Sequence, residues 1–205
     1  MRISIAVLLL LGAARPMSAQ MNKTAERAAL ARAKGAETAT VTVYEIADFQ
    51  CPYCGRFAKD VFPKIDSAFV KPGKVRWIFI NFPLPTHAHS WTASEAAMCA
   101  GGVSGKFWQM HDKLFATQST WSELTDAAPV FAKYAAEIGV PAAAYQSCVA
   151  GDVTASLVVR DLLNGASAGP TGTPAYVIGS DPIFAGYRTF EDWKELLEAA
   201  LAKKK

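Results

Sequence analysis

Cys51 and Cys54 stand three residues apart, with Pro52 and Tyr53 between them. Positions i and i+3 of a helix lie on one face, so two sulfurs at this spacing can bond and part. The chemistry that follows is thiol–disulfide exchange: a thiolate attacks a disulfide sulfur, and no bound cofactor is needed. The preceding residues read as a strand and the following ones as a helix, and that context turns a bare C-x-x-C into a redox motif. Cys51 would occupy the helix start, where unpaired N–H groups and the helix dipole favour an anion and lower a thiol pKa. Pro52 suits the first helical turn because it has no N–H to leave unpaired. Cys51 is thus expected to be the exposed nucleophile and Cys54 the resolving thiol one turn deeper. The competing readings are a structural disulfide or half of a zinc site. Zinc usually takes a second close pair of ligands, whereas Cys99 and Cys148 are 49 residues apart, and His87, His89 and His111 fall at no familiar spacing from a cysteine. No metal is expected.

The elements that must position this dithiol read as follows. Residues 20–39 are polar and Ala-rich, one short helix and a linker. From Thr40 to Phe49 β-branched residues alternate, placing Val41, Val43, Glu45, Ala47 and Phe49 on one strand face, with Asp48 on the other. A helix runs from Cys51 to about Val70, bent near Pro63. After the turn Lys71-Pro72-Gly73 comes a nearly continuous apolar strand over 74–82, as expected of a strand covered on both faces. Strand, helix and strand form a βαβ unit with parallel pairing.

Residues 87–166 change character, with helices expected over 88–101, 105–117, 122–138, 141–150 and 152–165. Two short strands, 174–178 and 183–187, follow around a turn at 179–182. Thr189 caps a last helix, with Asp192 at the capping-box position. Neither strand group can close a sheet alone. The fold class is therefore α/β, one mixed βαβ…ββα sheet over 40–86 and 167–205, interrupted by an all-helical insertion over 87–166. Thr171-Gly172-Thr173-Pro174 opens the third strand, where a proline removes a ladder donor. A cis Thr173–Pro174 bond would resolve that, and the Thr173 backbone beside Cys51 would offer an edge to an extended substrate peptide.

Strand, C-P-Y-C, helix, strand, helical insertion and Gly-Thr-Pro before a hairpin and last helix resemble the DsbA-type thiol:disulfide oxidoreductases of thioredoxin fold, over about residues 40–202. The supporting stretches are 47–54, 105–112 and 172–178. The resemblance implies a cis Pro174 and a substrate contact made by Pro52, Tyr53, Thr173 and Pro174. It also implies a buried acid six residues before the nucleophile, the position of Glu45, which the strand pattern independently turns inward. There it would relay the proton of Cys54. Some family members carry a second cysteine pair, and Cys99 and Cys148 are expected to form a structural disulfide, with two buried free thiols as the alternative. His111 and the tryptophans 91, 108 and 121 are read as helix packing.

Composition bounds the rest. At 205 residues, 51% hydrophobic and 19% charged, the chain can bury a sizeable core and is no disordered tail. Arg2, the uncharged run Ile3–Ala14 and small residues after it have the layout of a secretory signal over 1–19, cleaved after Ala19 or, failing that, Ala14. The run would span about 18 Å as a helix, too short for the roughly 30 Å hydrocarbon core. Without Arg2 and Arg15 the 21 basic residues become 19, against 18 acidic ones, which excludes a nucleic-acid or anionic-membrane footprint. Export, to the periplasm or beyond, agrees with an even cysteine count.

By resemblance the activity expected first is an oxidase that introduces disulfides into reduced exported client proteins. A membrane quinone-linked partner of the DsbB type would reoxidise it. A reductase or isomerase of the same fold, and a non-catalytic peptide-binding module, are the alternatives. Pro-Tyr stands where the strongest oxidants of the type have Pro-His, and Thr173 also occurs in related isomerases and reductases. Those isomerases dimerise through a long N-terminal domain, for which residues 20–39 are too short, so a monomer is expected.

Overall fold

The computed structural model describes residues 17–203. Most of the expected targeting segment, residues 1–16, and the last two lysines lie outside them. The elements are α1 (Met17–Ala31), β1 (Ala33–Lys34), β2 (Val41–Ala47), α2 (Pro52–Asp60), α3 (Phe62–Ile65), β3 (Val75–Asn81), α4 (Ser90–Ser104), α5 (Phe107–Ala116), α6 (Gln118–Trp121), α7 (Ala128–Glu137), α8 (Ala142–Ala150), α9 (Ala155–Ser167), β4 (Ala175–Ile178), β5 (Phe184–Ala185) and α10 (Phe190–Ala202). The sheet order is β1-β3-β2-β4-β5. β2 and β3 are parallel with Val43 opposite Trp77, while β4 runs antiparallel to β2 with Glu45 opposite Tyr176. The helical insertion leaves the sheet after β3 and returns at β4.

Local sequence explains most boundaries. The helix after the dithiol breaks at Val61, whose φ of −116° leaves the helical range, and resumes with Pro63 in the next first turn. A π-helical turn, Asp66–Val70, completes it. Gly139, at φ 77°, ends α7 in the left-handed conformation that glycine adopts without cost. The Thr189 hydroxyl accepts from Asp192 N, and the Asp192 carboxylate accepts from Thr189 N, closing the capping box of α10.

Three expectations need correction. Residues 20–39 are more than a helix and linker, because Ala33 and Lys34 pair antiparallel with Ile78 and Trp77 and add an edge strand. The helix placed over 122–138 forms only from Ala128 to Glu137, as α7, while residues 122–127 are a loop after the short α6. Asp126 accepts from Ala128 N, and Pro129 fits only a first helical turn, so α7 starts there. β3 is covered on both faces only over its second half, since Arg76 and Ile78 stay partly exposed.

Two apolar layers fix the dithiol. Between the sheet and α2, α3 and α10 lie Phe57, Phe62, Trp77, Tyr176 and Trp193, with Phe57 and Tyr176 ring centroids 5.1 Å apart and Tyr176 and Trp193 4.7 Å apart. The insertion packs around α4, which is rich in alanine and glycine and buried nearly all round. Gly102 lies so close to α1 that a Cβ would stand 2.5 Å from the Thr24 carbonyl oxygen. Phe49, Phe79, Phe107, Phe115 and His111 continue this layer up to the strand end that carries the dithiol. His111 and Trp121 are packing residues, and Trp121 Nε1 donates to Leu114 O.

Candidate active site

β2 ends at Ala47 and the chain turns at once into α2. Asp48, fully buried, builds the turn: its carboxylate accepts from Gln50 N (2.7 Å), Leu84 N (2.8 Å) and the Ser90 hydroxyl (2.6 Å), and pairs with His87 Nδ1 (2.8 Å). Its main-chain oxygen accepts from Cys51 N. A carboxylate with this many donors satisfies its burial by hydrogen bonds. Asp48 thus has a structural role, and three of its partners, Leu84, His87 and Ser90, come from beyond β3 and leave no local signal in the sequence.

Cys51 occupies the N-cap position of α2 in extended conformation and Pro52 is the first helical residue. Both cysteines stand as free thiols. The structure corrects the expectation of an exposed nucleophile: Cys51 is only 5% exposed, and Cys54 is fully buried. The cover is the segment before β4. The Thr173–Pro174 peptide bond is cis, and the Cys51 thiol donates to Thr173 O at 3.3 Å. Tyr53, by contrast, is 61% exposed beside them.

The two thiols differ sharply. Cys51 is lowered to about 6, first by the hydrogen bond from Cys54, against the opposing effect of burial, and then by Thr173 and the backbone N–H groups of Cys54 and Tyr53. The Thr173 hydroxyl is buried and has no other partner, so it is free to serve the thiolate. Cys54 is pushed well above its ordinary value, mainly by burial and then by Cys51 and the charge of Glu45. Glu45 itself is 1% exposed, with burial raising it to about 8 while Trp77 Nε1, donating at 2.7 Å, pulls the other way. Its second oxygen, Oε1, has no partner. The arrangement is a barely exposed thiol that gives up its proton readily, a buried thiol behind it that holds its proton, and a carboxyl group that keeps its own up to about pH 8.

Helices of the insertion complete the site. Gln118 Nε2, at the start of α6, donates to Phe49 O (2.7 Å) and Cys51 O (2.9 Å). Gln50 Nε2 donates to Ser122 O, and Gln50 Oε1 accepts from His89 N. Nothing in the sequence pairs position 118 with the dithiol, because the contact joins segments about 70 residues apart. Cys99 and Cys148 lie elsewhere in the insertion and join α4 to α8 through a disulfide. Among the described residues no cluster of side chains is suited to hold a metal.

A family model described as Thioredoxin matches residues 29–199. The chain belongs to the thioredoxin family. Among solved structures, alpha-DsbA1 of Wolbachia pipientis superposes with a TM-score of 0.75 at 21% identity, over 84% of this chain and 92% of that one. The fold is therefore the DsbA-type thioredoxin fold with its helical insertion. Disulfide bond formation protein D of Bacillus subtilis is 36% identical over 88 residues, 41% of this chain and 38% of that protein. The Na(+)/H(+) antiporter NhaA 3 of Salinispora tropica is 32% identical over 146 residues, 71% of this chain but 21% of the antiporter. The chain thus spans well under half the length of these curated relatives. Among the described residues, no helix of this thioredoxin-family chain is long and apolar enough to cross a membrane.

Proposed function

We propose that the chain is an exported thiol:disulfide oxidoreductase whose Cys51–Cys54 couple introduces disulfides into reduced client proteins. The observation that carries this reading is the unequal pair, Cys51 lowered to about 6 at the surface margin and Cys54 raised and fully buried. In the oxidised protein a client thiolate attacks Cys51 Sγ, the Cys51–Cys54 bond breaks, and Cys54 leaves as a thiolate. Glu45, protonated near neutrality, supplies the proton that Cys54 needs in its dry site. A second client thiolate then attacks the client sulfur of the mixed disulfide, and Cys51 leaves as its stabilised thiolate. Two client thiols are oxidised and the Cys51–Cys54 disulfide is reduced to the dithiol, so the cycle requires a reoxidant. A membrane quinone-linked partner of the DsbB type fits that need.

Pro52, exposed Tyr53 and the main chain of Thr173 and Pro174 form the surface against which an extended client segment lies. A stabilised Cys51 thiolate favours the reduced dithiol and hence the oxidase direction. Reductase activity is the second reading, favoured by Tyr53, whose neutral phenol brings no positive charge to Cys51. The test is twofold. Wild-type protein, oxidised, should speed disulfide formation in a reduced, unfolded client, and Cys54→Ser should accumulate mixed disulfides through Cys51. A protein that neither oxidises the client nor traps it is a binding module and refutes the proposal.

A further inference from the structure

We propose that Gln118 is a positioning residue through which the helical insertion sets the orientation of the dithiol turn. Its side-chain amide donates to two carbonyl oxygens that flank Gln50, those of Phe49 and Cys51, at 2.7 and 2.9 Å. Both partners are acceptors, so the amide nitrogen must face them. The Cys51 carbonyl already receives Gly55 N at 3.1 Å, the first helical bond of α2, and Gln118 is its second donor. The amide therefore grips the residue that bears the nucleophile at the point where the helix begins.

Gly55 supplies independent support. A Cβ there would stand 2.5 Å from Gln118 Oε1 and 3.1 Å from its Cδ. Glycine weakens a helix interior relative to alanine, and here its missing side chain is what lets the Gln118 amide lie against α2. The main chain that carries Gln118 is tied to the same turn. The Ser122 hydroxyl donates to Gln118 O, Ser122 O accepts from Gln50, and Gln50 accepts from His89 N at the head of α4. The circuit ties residues 49–51 to α6 and α4, two helices of the insertion.

The consequence is chemical as well as structural. The Cys51 thiolate is supported by the N–H groups of Tyr53 and Cys54, which can serve the sulfur only while this first turn keeps its angle. Gln118 holds that angle from outside the sheet, so it acts on the dithiol without touching sulfur or client. This inference rests on the dithiol being redox-active, as proposed above.

Two variants test it from opposite sides of the contact: Gln118→Met, which keeps bulk and removes the donors, and Gly55→Ala, which displaces the amide while favouring the helix. Thiolate absorbance of the reduced protein gives the Cys51 titration, and equilibration with glutathione gives the exchange constant. In both variants Cys51 should titrate higher, with its acid constant lowered about three- to tenfold, the scale of one hydrogen bond. Above pH 8 the glutathione constant should move by the same factor toward a more reducing couple. Unchanged titration and exchange constants, with only the unfolding temperature lowered, would make Gln118 a structural contact and overturn the inference. If Gln118→Met fails to fold, Gly55→Ala carries the test alone. Wild-type protein inert toward glutathione would defeat the oxidoreductase reading, while the titration would still decide what Gln118 does to Cys51.

Discussion

Thr173→Val keeps the shape of the residue before the cis proline and removes one hydroxyl. The Cys51 contact to Thr173 O is made to the main chain and survives. What is lost is a buried donor with no other partner, one of the groups that bring Cys51 down to about 6. A hydrogen bond to a charged group is worth about 1.5–3 kcal/mol in a sheltered site. We take about 1.4 kcal/mol, just below that range, or one pKa unit. Cys51 of the variant should then ionise near about 7. Thiolate formation stabilises only the reduced protein, and only above the pKa. At pH 8 the variant should therefore be more reducing by nearly the full unit, about 30 mV for a two-electron couple. At pH 5 Cys51 is protonated in both proteins and their potentials should converge. Glutathione equilibria read by alkylation at the two pH values, with thiolate absorbance as a second probe, measure this directly. Equal potentials at pH 8, or a gap of the same size at pH 5, would refute the thiolate argument.

Glu45→Gln should remove a pH-dependent liability. With the folded carboxyl raised to about 8, the unfolded chain releases its proton from about pH 4.5 upward while the folded one keeps it, so stability falls from there to about pH 8. The variant retains an acceptor for Trp77, and its unfolding temperature should exceed wild type at pH 7 and match it at pH 4, while client oxidation slows for want of the proton. No gain at pH 7 would show that Glu45 is not held protonated. The double variant Cys99→Ala/Cys148→Ala opens a 49-residue loop and should cost roughly 2–4 kcal/mol by chemical denaturation. Its Cys51–Cys54 potential should stay at the wild-type value, and a shifted potential would tie the second disulfide to the redox site.

The features legible in the sequence are those whose cause is local. A cysteine pair with proline between, a β-branched alternation ahead of it and a Thr-x-x-Asp cap each act over a few residues, and the structure places them as those patterns suggest. The same holds for Glu45, because a period of two puts it on the inward face with Val43. Features made by tertiary contact left no such trace. Two residues, Ala33 and Lys34, become a strand only because the edge of β3 is free to pair with them. The donors on the turn that carries the dithiol come from residues 84–90 and 118, whereas the Thr173 contact to Cys51 is foreshadowed by the Gly-Thr-Pro stretch. The start of α7 was legible in principle, since Asp126 and Pro129 mark a first turn, but the apolar residues ahead of them extend the helical pattern backward.

The reduction potential of the wild-type Cys51–Cys54 couple, equilibrated against glutathione at pH 7 and read by thiol alkylation, tests the central claim most directly. A value near about −120 mV is the predicted result and marks a dithiol oxidase. A value near about −270 mV would mark a reductase and contradict the direction proposed here.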